Sequence, residues 1–226
     1  MLVTSRSAAE YRAMFDLAPE DLTGSVLDCC AGGSSFAAET GGRVLAVDPA
    51  YALGRRELAA RVRRGLDEGD RMIDRNADRF EWGWYGSPGR RADMRRGAAE
   101  LFLADLQGRP ERYVAAALPD LPLSSDCVDL VLCSHLLFTW ADQLGEDWHR
   151  RAIAELVRVA CREVRIFPVV VQGTGDPVAF MDGLRSELHA LGHHTELREV
   201  PYRFQRGGDR MLRIGVGSAL DSGARS

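Results

Sequence analysis

The sequence predicts an α/β protein with one doubly wound, mostly parallel sheet of seven strands and a helical insertion after the second strand. Short apolar runs rich in β-branched residues alternate with helical patterns, as repeated βαβ units require. The run at 127–134 is apolar almost throughout, which is typical of a strand buried on both faces. The runs at 195–204 and 211–217 are joined only by residues 205–210, so they predict an antiparallel hairpin at one edge.

The first 50 residues contain a strand–turn–helix–strand unit behind a short helix. Residues 7–17 predict that first helix from their apolar spacing. Residues 25–30 predict the first strand, which stops at a glycine turn, and a serine then caps a helix start at 34–39. Residues 43–48 predict the second strand, which ends in an acid.

Residues 51–108 differ from their surroundings because they are rich in Arg, Asp and Glu. They predict an all-helical insertion with a central turn at 81–89. The arginine-rich run at 55–64 is interpreted as a solvated helix face, with a patch for an anionic substrate as the alternative. The insertion is a candidate surface for oligomer formation. Residues 1–220 are expected to form one domain, followed by a disordered tail at 221–226.

The second half of the chain returns to the alternation of strands and helices. Residues 112–118 predict the third strand, and the apolar spacing within 143–160 predicts a helix. Residues 163–170 predict the fifth strand, with a proline near its end that stops the ladder. Asp176 followed by proline predicts the start of the last helix, before the hairpin.

Composition narrows the classes of function. The chain has 226 residues, a formal net charge of −4 and 29 basic residues, all of them arginine. The lack of lysine excludes Schiff-base, pyridoxal-phosphate and P-loop chemistry that uses a lysine amine. The weakly acidic balance disfavours non-specific nucleic-acid binding, so no nucleic-acid partner is expected.

The cysteine pattern and the hydropathy predict a cytoplasmic protein. Five cysteines, an odd number without C-x-x-C spacing, predict neither a disulfide framework nor a zinc site, so no metal is expected. The N-terminal residues lack the pattern of a secretory signal. No apolar run approaches the roughly 18 residues of a membrane span, so no membrane partner is expected. A reducing compartment fits the free cysteines best.

Candidate site residues follow from the predicted sheet, because ligands of open parallel sheets bind at the carboxyl ends of the strands. After the first strand come Asp28 and a glycine turn whose small residues allow a close backbone approach. The amides at the start of the next helix would be available to an anion. Asp48 ends the second strand, where a carboxylate suits two ribose hydroxyls. The turn alone is often only a turn, but Asp28, Gly32 and Asp48 together favour an adenosine-type ligand.

At these residues the sequence resembles a known family. VLDCCAGGSSFAAE followed by VLAVDPAY resembles the first two motifs of class I S-adenosylmethionine-dependent methyltransferases. The segment LPDLPLSSDCVDLVLCSHLLFTW, residues 118–140, is similar to the motif that leads into the fourth strand of that family. The resemblance extends from about Tyr11 to Gly217, apart from the insertion. It implies a Rossmann-like sheet with S-adenosylmethionine as the cofactor.

The resemblance implies cofactor contacts for residues that follow the first three strands. Five residues of the first turn would line the methionine part of the cofactor: Asp28, Cys30, Ala31, Gly32 and Gly33. Four residues would hold the adenosine part: Asp48 at the ribose hydroxyls, Pro49 beside the adenine, and Ala117 and Leu118 flanking the ring at the end of the third strand.

The resemblance also implies which residues face the reacting groups. Ser134 and His135, after the fourth strand, would face the sulfonium and the methyl acceptor. Tyr11, with Arg6 as a further candidate, would close over the amino-acid end of the cofactor. His135 is the best candidate for a base because histidine titrates near neutrality, although a histidine that only packs after the strand is the alternative.

The chain departs from the family pattern at several positions. Cys30 and Ser34 stand where the family usually has the first and third glycines of its first motif, and only Gly32 matches. Ala117 stands where many relatives have an acid that binds the adenine amino group, which leaves that contact to the backbone. No Asn/Asp-Pro-Pro-Tyr/Phe signature follows the fourth strand, which argues against methylation of a nucleic-acid or amide nitrogen of that type.

The sequence therefore predicts a methyltransferase that acts on a small molecule by in-line transfer. Trp82, Trp84, Tyr85 and Trp140 are candidates for an apolar acceptor pocket, with core packing as the alternative for each. One other function is a nicotinamide-dependent oxidoreductase, since Asp48 would serve that ribose equally, although G-x-G-x-x-G is absent. Another is a cofactor-binding protein without turnover, acting as a sensor or partner subunit.

Overall fold

A mixed seven-stranded sheet forms the centre of the protein. The computed structural model describes residues 3–217, so the tail predicted at 221–226 lies outside the described residues. The strands in chain order are β1 (Val26–Cys29), β2 (Val44–Val47), β3 (Tyr113–Val114), β4 (Val128–Ser134), β5 (Ala160–Phe167), β6 (His194–Glu199) and β7 (Arg210–Gly215).

The order of the strands across the sheet is β3-β2-β1-β4-β5-β7-β6. Strands β1 to β5 pair in parallel, whereas β7 runs antiparallel to both β5 and β6. The predicted doubly wound, mostly parallel sheet with an antiparallel hairpin at one edge is therefore confirmed. The chain reverses its direction of winding between β1 and β4, and this switch point is where open parallel sheets bind ligands.

Helices cover both faces of the sheet. In chain order they are α1 (Ala8–Phe15), α2 (Phe36–Thr40), α3 (Arg55–Arg75), α4 (Pro88–Gly108), α5 (Ala141–Leu144), α6 (Glu146–Val159) and α7 (Met181–Ala190). Side chains of α1 to α4 join one buried apolar cluster, and those of α6 and α7 join the other. The two helices of residues 51–108, α3 and α4, pack against each other between β2 and β3 in the chain.

The third strand is shorter than the predicted 112–118. Its ladder with β2 stops after Val114, whose carbonyl accepts the amide of Asp48 at 3.2 Å. The next residue, Pro49, has no N–H to continue the pairing. Ala117 and Leu118 therefore lie in the loop beyond β3 and do not end the strand, as the sequence had predicted.

Two predicted helix boundaries also differ. The helix predicted at 143–160 is divided into α5 and α6 by Gly145, whose φ of 74° interrupts helical geometry. The last helix begins at Met181 and not at Pro177, because Pro177 forms an antiparallel bridge with Val170 in extended conformation. Within residues 3–217, no helix is long and apolar enough to cross a membrane.

Candidate functional site

A cavity of about 820 Å³ opens at the carboxyl ends of the strands. We call the residues that follow β1, β2, β3 and β4 its sheet wall: Cys30, Gly32, Asp48, Pro49, Ala117, Leu118, Ser134 and His135. We call the side chains of α3, α4 and the turn between them its insertion wall: Leu66, Asp70, Met72, Asn76, Arg79, Phe80, Arg91 and Arg95. The N-terminal residues Thr4, Ser5 and Arg6 also line it. Gly65 and Gly69 of α3 line it as well, and the remaining lining residues come from the region of α5 and α6, from the end of β5 and the loop after it, and from the loop between β6 and β7.

Asp48 is the acid whose position in the sheet wall is best defined. It is 4% exposed, and its Oδ2 accepts the Gly32 amide at 3.0 Å while its Oδ1 accepts the Ala50 amide at 2.8 Å. Burial raises the pKa of Asp48, and the two backbone hydrogen bonds act in the opposite direction. Each carboxylate oxygen retains a further lone pair, so the group can accept two hydroxyl hydrogens from a ligand.

The backbone amides of the turn after β1 already have protein acceptors. The Gly33 amide donates to the Thr4 carbonyl and the Ser35 amide to the Arg6 carbonyl, both at 2.9 Å. The Ser34 amide donates to the Ala31 carbonyl at 3.1 Å. The amides of Gly33 and Ser35, which the sequence predicts to be available to an anion, are therefore occupied by carbonyls of the N-terminal segment, and the Ser34 amide is occupied within the turn.

The glycines of this turn are needed for that backbone pairing. Gly32 has a φ of +60°, and a Cβ there would meet the Thr4 carbonyl oxygen at 3.0 Å. A Cβ on Gly33 would meet Ser5 Oγ at 2.8 Å. The close approach brings Thr4 and Ser5 to the cavity, so Gly33 is covered by the N-terminal segment and does not line the cavity. Ala31 also lies behind the lining residues.

Asp28 and Tyr11 lie outside the cavity lining, although the resemblance implies that both contact the cofactor. The Tyr11 hydroxyl donates to Asp28 Oδ1 at 2.9 Å, and its ring stacks on Phe36. Asp28 is 1% exposed, and burial raises its pKa to about 8. Asp28 is therefore mainly protonated at neutral pH. Both residues support the turn from the core side.

Ser134 and His135 line the cavity across the switch point from Asp48. Ser134 Oγ lies 2.8 Å from His135 Nδ1, and the imidazole contacts the Phe167 ring edge-on. Burial lowers the pKa of His135 well below its ordinary range, and the charges of Arg6 and Arg95 act in the same direction. The imidazole is therefore neutral at physiological pH.

A buried polar network joins the insertion wall to the N-terminal helix. Arg95 forms an ion pair with Glu10 at 2.9 Å and donates to the Ser5 carbonyl at 2.9 Å. The Tyr85 hydroxyl contacts both Glu10 and the hydroxyl of Tyr202 in the hairpin region. Because these groups are almost fully buried, the network fixes α4 over the mouth of the sheet.

The aromatic candidates divide between the cavity and the core. Trp140 lines the cavity. Tyr85 is fully buried, and Trp84 and Trp82 pack against Tyr202 and Phe204 respectively. These last three candidates therefore have the packing role that the sequence left as the alternative.

Sequence reasoning missed the two arginines of α4 that reach the cavity. The run at 55–64, considered as an anionic-substrate patch, does not line the cavity, whereas Arg91 and Arg95 do. A signal for them exists: both share the buried side of α4 with Ala98 and Phe102, at helical spacing. The pairing of the N-terminal segment with the turn was also missed. It joins backbone groups, which leave no mark in the sequence.

Comparisons with known proteins give distant similarities. No family model matches the chain. It is 26% identical over 217 residues to an uncharacterized protein of Methanocaldococcus jannaschii. The match covers 94% of this chain and 95% of that protein.

Among solved structures, the chain is similar to the magnesium protoporphyrin IX methyltransferase of Synechocystis PCC 6803 with bound S-adenosylmethionine. The identity is 12%, the TM-score is 0.46, and the match covers 92% of this chain and 77% of the other. It is also similar to a possible histamine N-methyltransferase of Thermotoga maritima, with 14% identity, a TM-score of 0.42, and coverage of 92% and 88%.

Proposed function

We propose that the protein is an S-adenosylmethionine-dependent methyltransferase that acts on a small molecule. The observation that carries this proposal is the placement of Asp48. Its carboxylate is held by the Gly32 and Ala50 amides, in a cavity that also contains Ser134 and His135 across the switch point. A ribose bound at Asp48 would extend the rest of an adenosine ligand along the strand ends.

The residues of the sheet wall fit the parts of this cofactor. Asp48 would accept the ribose hydroxyls, and Pro49, Ala117 and Leu118 would contact the adenine ring. Cys30 and Gly32 would contact the methionine part. This arrangement omits Asp28, Tyr11, Ala31 and Gly33 as direct contacts, because they do not line the cavity.

Arg6 fits the carboxylate of the cofactor. Within residues 3–217, its guanidinium makes one side-chain hydrogen bond, donated to Thr4 Oγ1 at 2.8 Å. Its Nε is buried and has no hydrogen-bond partner in that part of the chain. Burial lowers the pKa of Arg6, so a nearby anion would stabilise the charged form. An α-carboxylate supplies that charge and the missing acceptors.

When bound, S-adenosylmethionine supplies an electrophilic methyl group. The chain's part in the reaction is to bring the acceptor into line with that methyl group and to exclude water. His135 is neutral, and its Nδ1 lies 2.8 Å from Ser134 Oγ. In the tautomer whose Nδ1–H donates to that oxygen, Nε2 is unprotonated and is the ring nitrogen that can take an acceptor proton. We propose that His135 orients the acceptor and takes its proton where the acceptor arrives protonated.

The same geometry disfavours the nicotinamide alternative. A dinucleotide places its pyrophosphate on free amides at the start of the helix after β1. Here the amides of Gly33 and Ser35 donate to the N-terminal segment at 2.9 Å. Binding of a pyrophosphate there would require this segment to leave its place.

Ligand-dependent thermal unfolding tests the proposal. Millimolar S-adenosylhomocysteine should raise the Tm by several degrees through linkage, and NADH at the same concentration should not. The acid of the insertion wall provides a matched control: Asp48→Asn should abolish the shift and Asp70→Asn should retain it. A shift with NADH alone, or equal shifts in both variants, would contradict the proposal. Cofactor binding without transfer to any acceptor in a broad panel would favour a sensor or partner subunit.

A further inference from the structure

Buried polar atoms without a partner gather around the cavity. Among residues 3–217, five such atoms belong to cavity-lining residues: Ser5 Oγ, Arg6 Nε, Arg91 Nε, Arg95 Nε and Thr139 Oγ1. Three of the five are guanidinium N–H groups, which can only donate. Burying a donor without an acceptor costs free energy, so this distribution indicates a ligand that supplies acceptor atoms.

Of the two buried arginines in the insertion wall, Arg91 has more N–H donors without an acceptor in residues 3–217 than Arg95. It is 8% exposed, and its Nη1 lies 3.2 Å from Asp70 Oδ1. The other oxygen of Asp70 accepts Arg96 Nη2 at 2.9 Å. Arg96 has a second carboxylate partner, since its Nη1 also donates to Asp93 Oδ1 at 3.3 Å. Within residues 3–217, Arg91 has only the shared Asp70 as a carboxylate partner, and its buried Nε has no acceptor.

The other two arginines already have partners or a proposed one. Arg95 is paired with Glu10 and bonded to Tyr85. Arg6 is assigned above to the carboxylate of the cofactor. Arg91 shares its carboxylate partner with Arg96 and keeps an unfilled donor, so it is the buried cation of this set that we consider for a second ligand. Burial and the charge of Arg95 lower its pKa, which a second anion would reverse.

Arg91 lies against an aromatic ring in a cavity that contains further apolar side chains. Its guanidinium carbon lies 5.5 Å from the centroid of the Phe204 ring. Leu66, Phe80 and Trp140 line the same cavity. A cation at an apolar wall attracts an anion more strongly than it would in water, because the local dielectric is low.

We infer that the methyl acceptor is an apolar acid, with a carboxylate that binds Arg91 and a body that packs on the aromatic side chains near Phe204. A carboxylate matches the planar fork of a guanidinium, and it would supply acceptors for the Arg91 donors that the shared Asp70 does not fill. The inference deepens the proposed function and rests on it, since it names the substrate class of the same cavity.

Matched acid and amide pairs test the inference with defined probes. The pairs are benzoate and benzamide, 2-naphthoate and 2-naphthamide, and indole-3-acetate and indole-3-acetamide, each titrated with saturating S-adenosylhomocysteine present. We expect at least one acid to bind about tenfold tighter than its amide, as a charged hydrogen bond provides. In Arg91→Gln the ratio should fall to about one, and Arg91→Lys should restore part of it.

Arg96→Gln is the matched control, because Arg96 shares Asp70 but does not line the cavity. It should keep the preference for the acid. S-adenosylhomocysteine binding by each variant reports whether the cavity is intact. The inference is overturned if no acid binds better than its amide, or if the preference survives in Arg91→Gln. A preference for acids without any S-adenosylhomocysteine binding, seen in titrations of the acids alone, would reject the proposed function and keep the anion site.

Discussion

The sheet wall of the cavity is held mainly by backbone groups, whereas the insertion wall is held by buried side chains. Asp48 takes its position from two amides, and the turn at Gly32 takes its position from the N-terminal segment. Arg91 and Arg95 take theirs from Asp70 and Glu10. Backbone geometry tolerates varied side chains, so the sheet wall suits a common cofactor. Side-chain geometry changes with each substitution, so the insertion wall suits a particular acceptor.

The largest expected effect concerns the ion pair that holds the insertion wall. Arg95→Met leaves Glu10 buried without its cation, which should lower the free energy of unfolding by about 3–5 kcal/mol. Urea denaturation measures this loss. Arg96→Met is the control, because the Arg96 side chain is 55% exposed and its removal should cost less than about 1 kcal/mol. Similar losses in the two variants would show that the buried pair does not hold the insertion wall.

The next effect concerns the backbone path of the sheet wall. Gly32→Ala places a Cβ at a φ of +60° and against the Thr4 carbonyl, so it should lower the free energy of unfolding by about 1–2 kcal/mol. It should also weaken S-adenosylhomocysteine binding. Gly97→Ala, within α4 and with open space around the new Cβ, should instead stabilise by up to about 1 kcal/mol. If Gly32→Ala were as stable as the parent, the turn would not depend on its left-handed residue.

The third expected effect is on the pKa of His135, the residue of the sheet wall that is affected by the charges of Arg6 and Arg95. Its pKa is depressed mainly by burial, and these two charges act in the same direction. The imidazole should therefore stay neutral in the pH range where a free histidine is half protonated. NMR titration of the ring protons measures this, with the exposed His194 as a reference in the same spectra. An imidazole half protonated near pH 6.5 would contradict the burial of this group.

The smallest effect concerns the acid beneath the sheet wall. The pKa of Asp28 is raised to about 8 by burial, so its protonated form is favoured in the folded state. The contribution of protonated Asp28 to the free energy of unfolding is complete at pH values below the ordinary carboxyl pKa. It is lost as the pH rises towards 8. Over one pH unit inside that window, the wild type should lose up to about 1.4 kcal/mol relative to Asp28→Asn. Denaturation of both proteins at pH 6 and pH 7 measures the difference, and parallel pH dependence would contradict the assigned pKa.

Much of the sheet wall could be predicted from the sequence, because its elements carry local signals. The apolar run that ends at Asp48 and the glycine turn after β1 are visible as patterns, and they place both at the carboxyl edge of a parallel sheet. The short β3 could not be predicted, since its end depends on which residue of β2 it faces. Pro49 decides that pairing from more than 60 residues away in the chain.

The insertion wall could be predicted only as a pair of helices. The arginines that reach the cavity are decided by the orientation of α4 about its own axis. Long-range contacts, such as the ion pair of Arg95 with Glu10, set that orientation. The helical spacing of Arg91, Arg95 and Phe102 marks one side of α4, but it does not show what that side faces. The division of the cavity into two walls therefore appears only in three dimensions.

Isothermal titration with S-adenosylhomocysteine tests the central claim, that the sheet wall binds this cofactor through Asp48. The wild type and Asp70→Asn should bind with similar Kd values, because Asp70 belongs to the insertion wall. Asp48→Asn should bind about 100-fold more weakly, since it loses charged hydrogen bonds to the ribose. Equal affinities of the wild type and Asp48→Asn, or no binding by the wild type at millimolar ligand, would contradict the account.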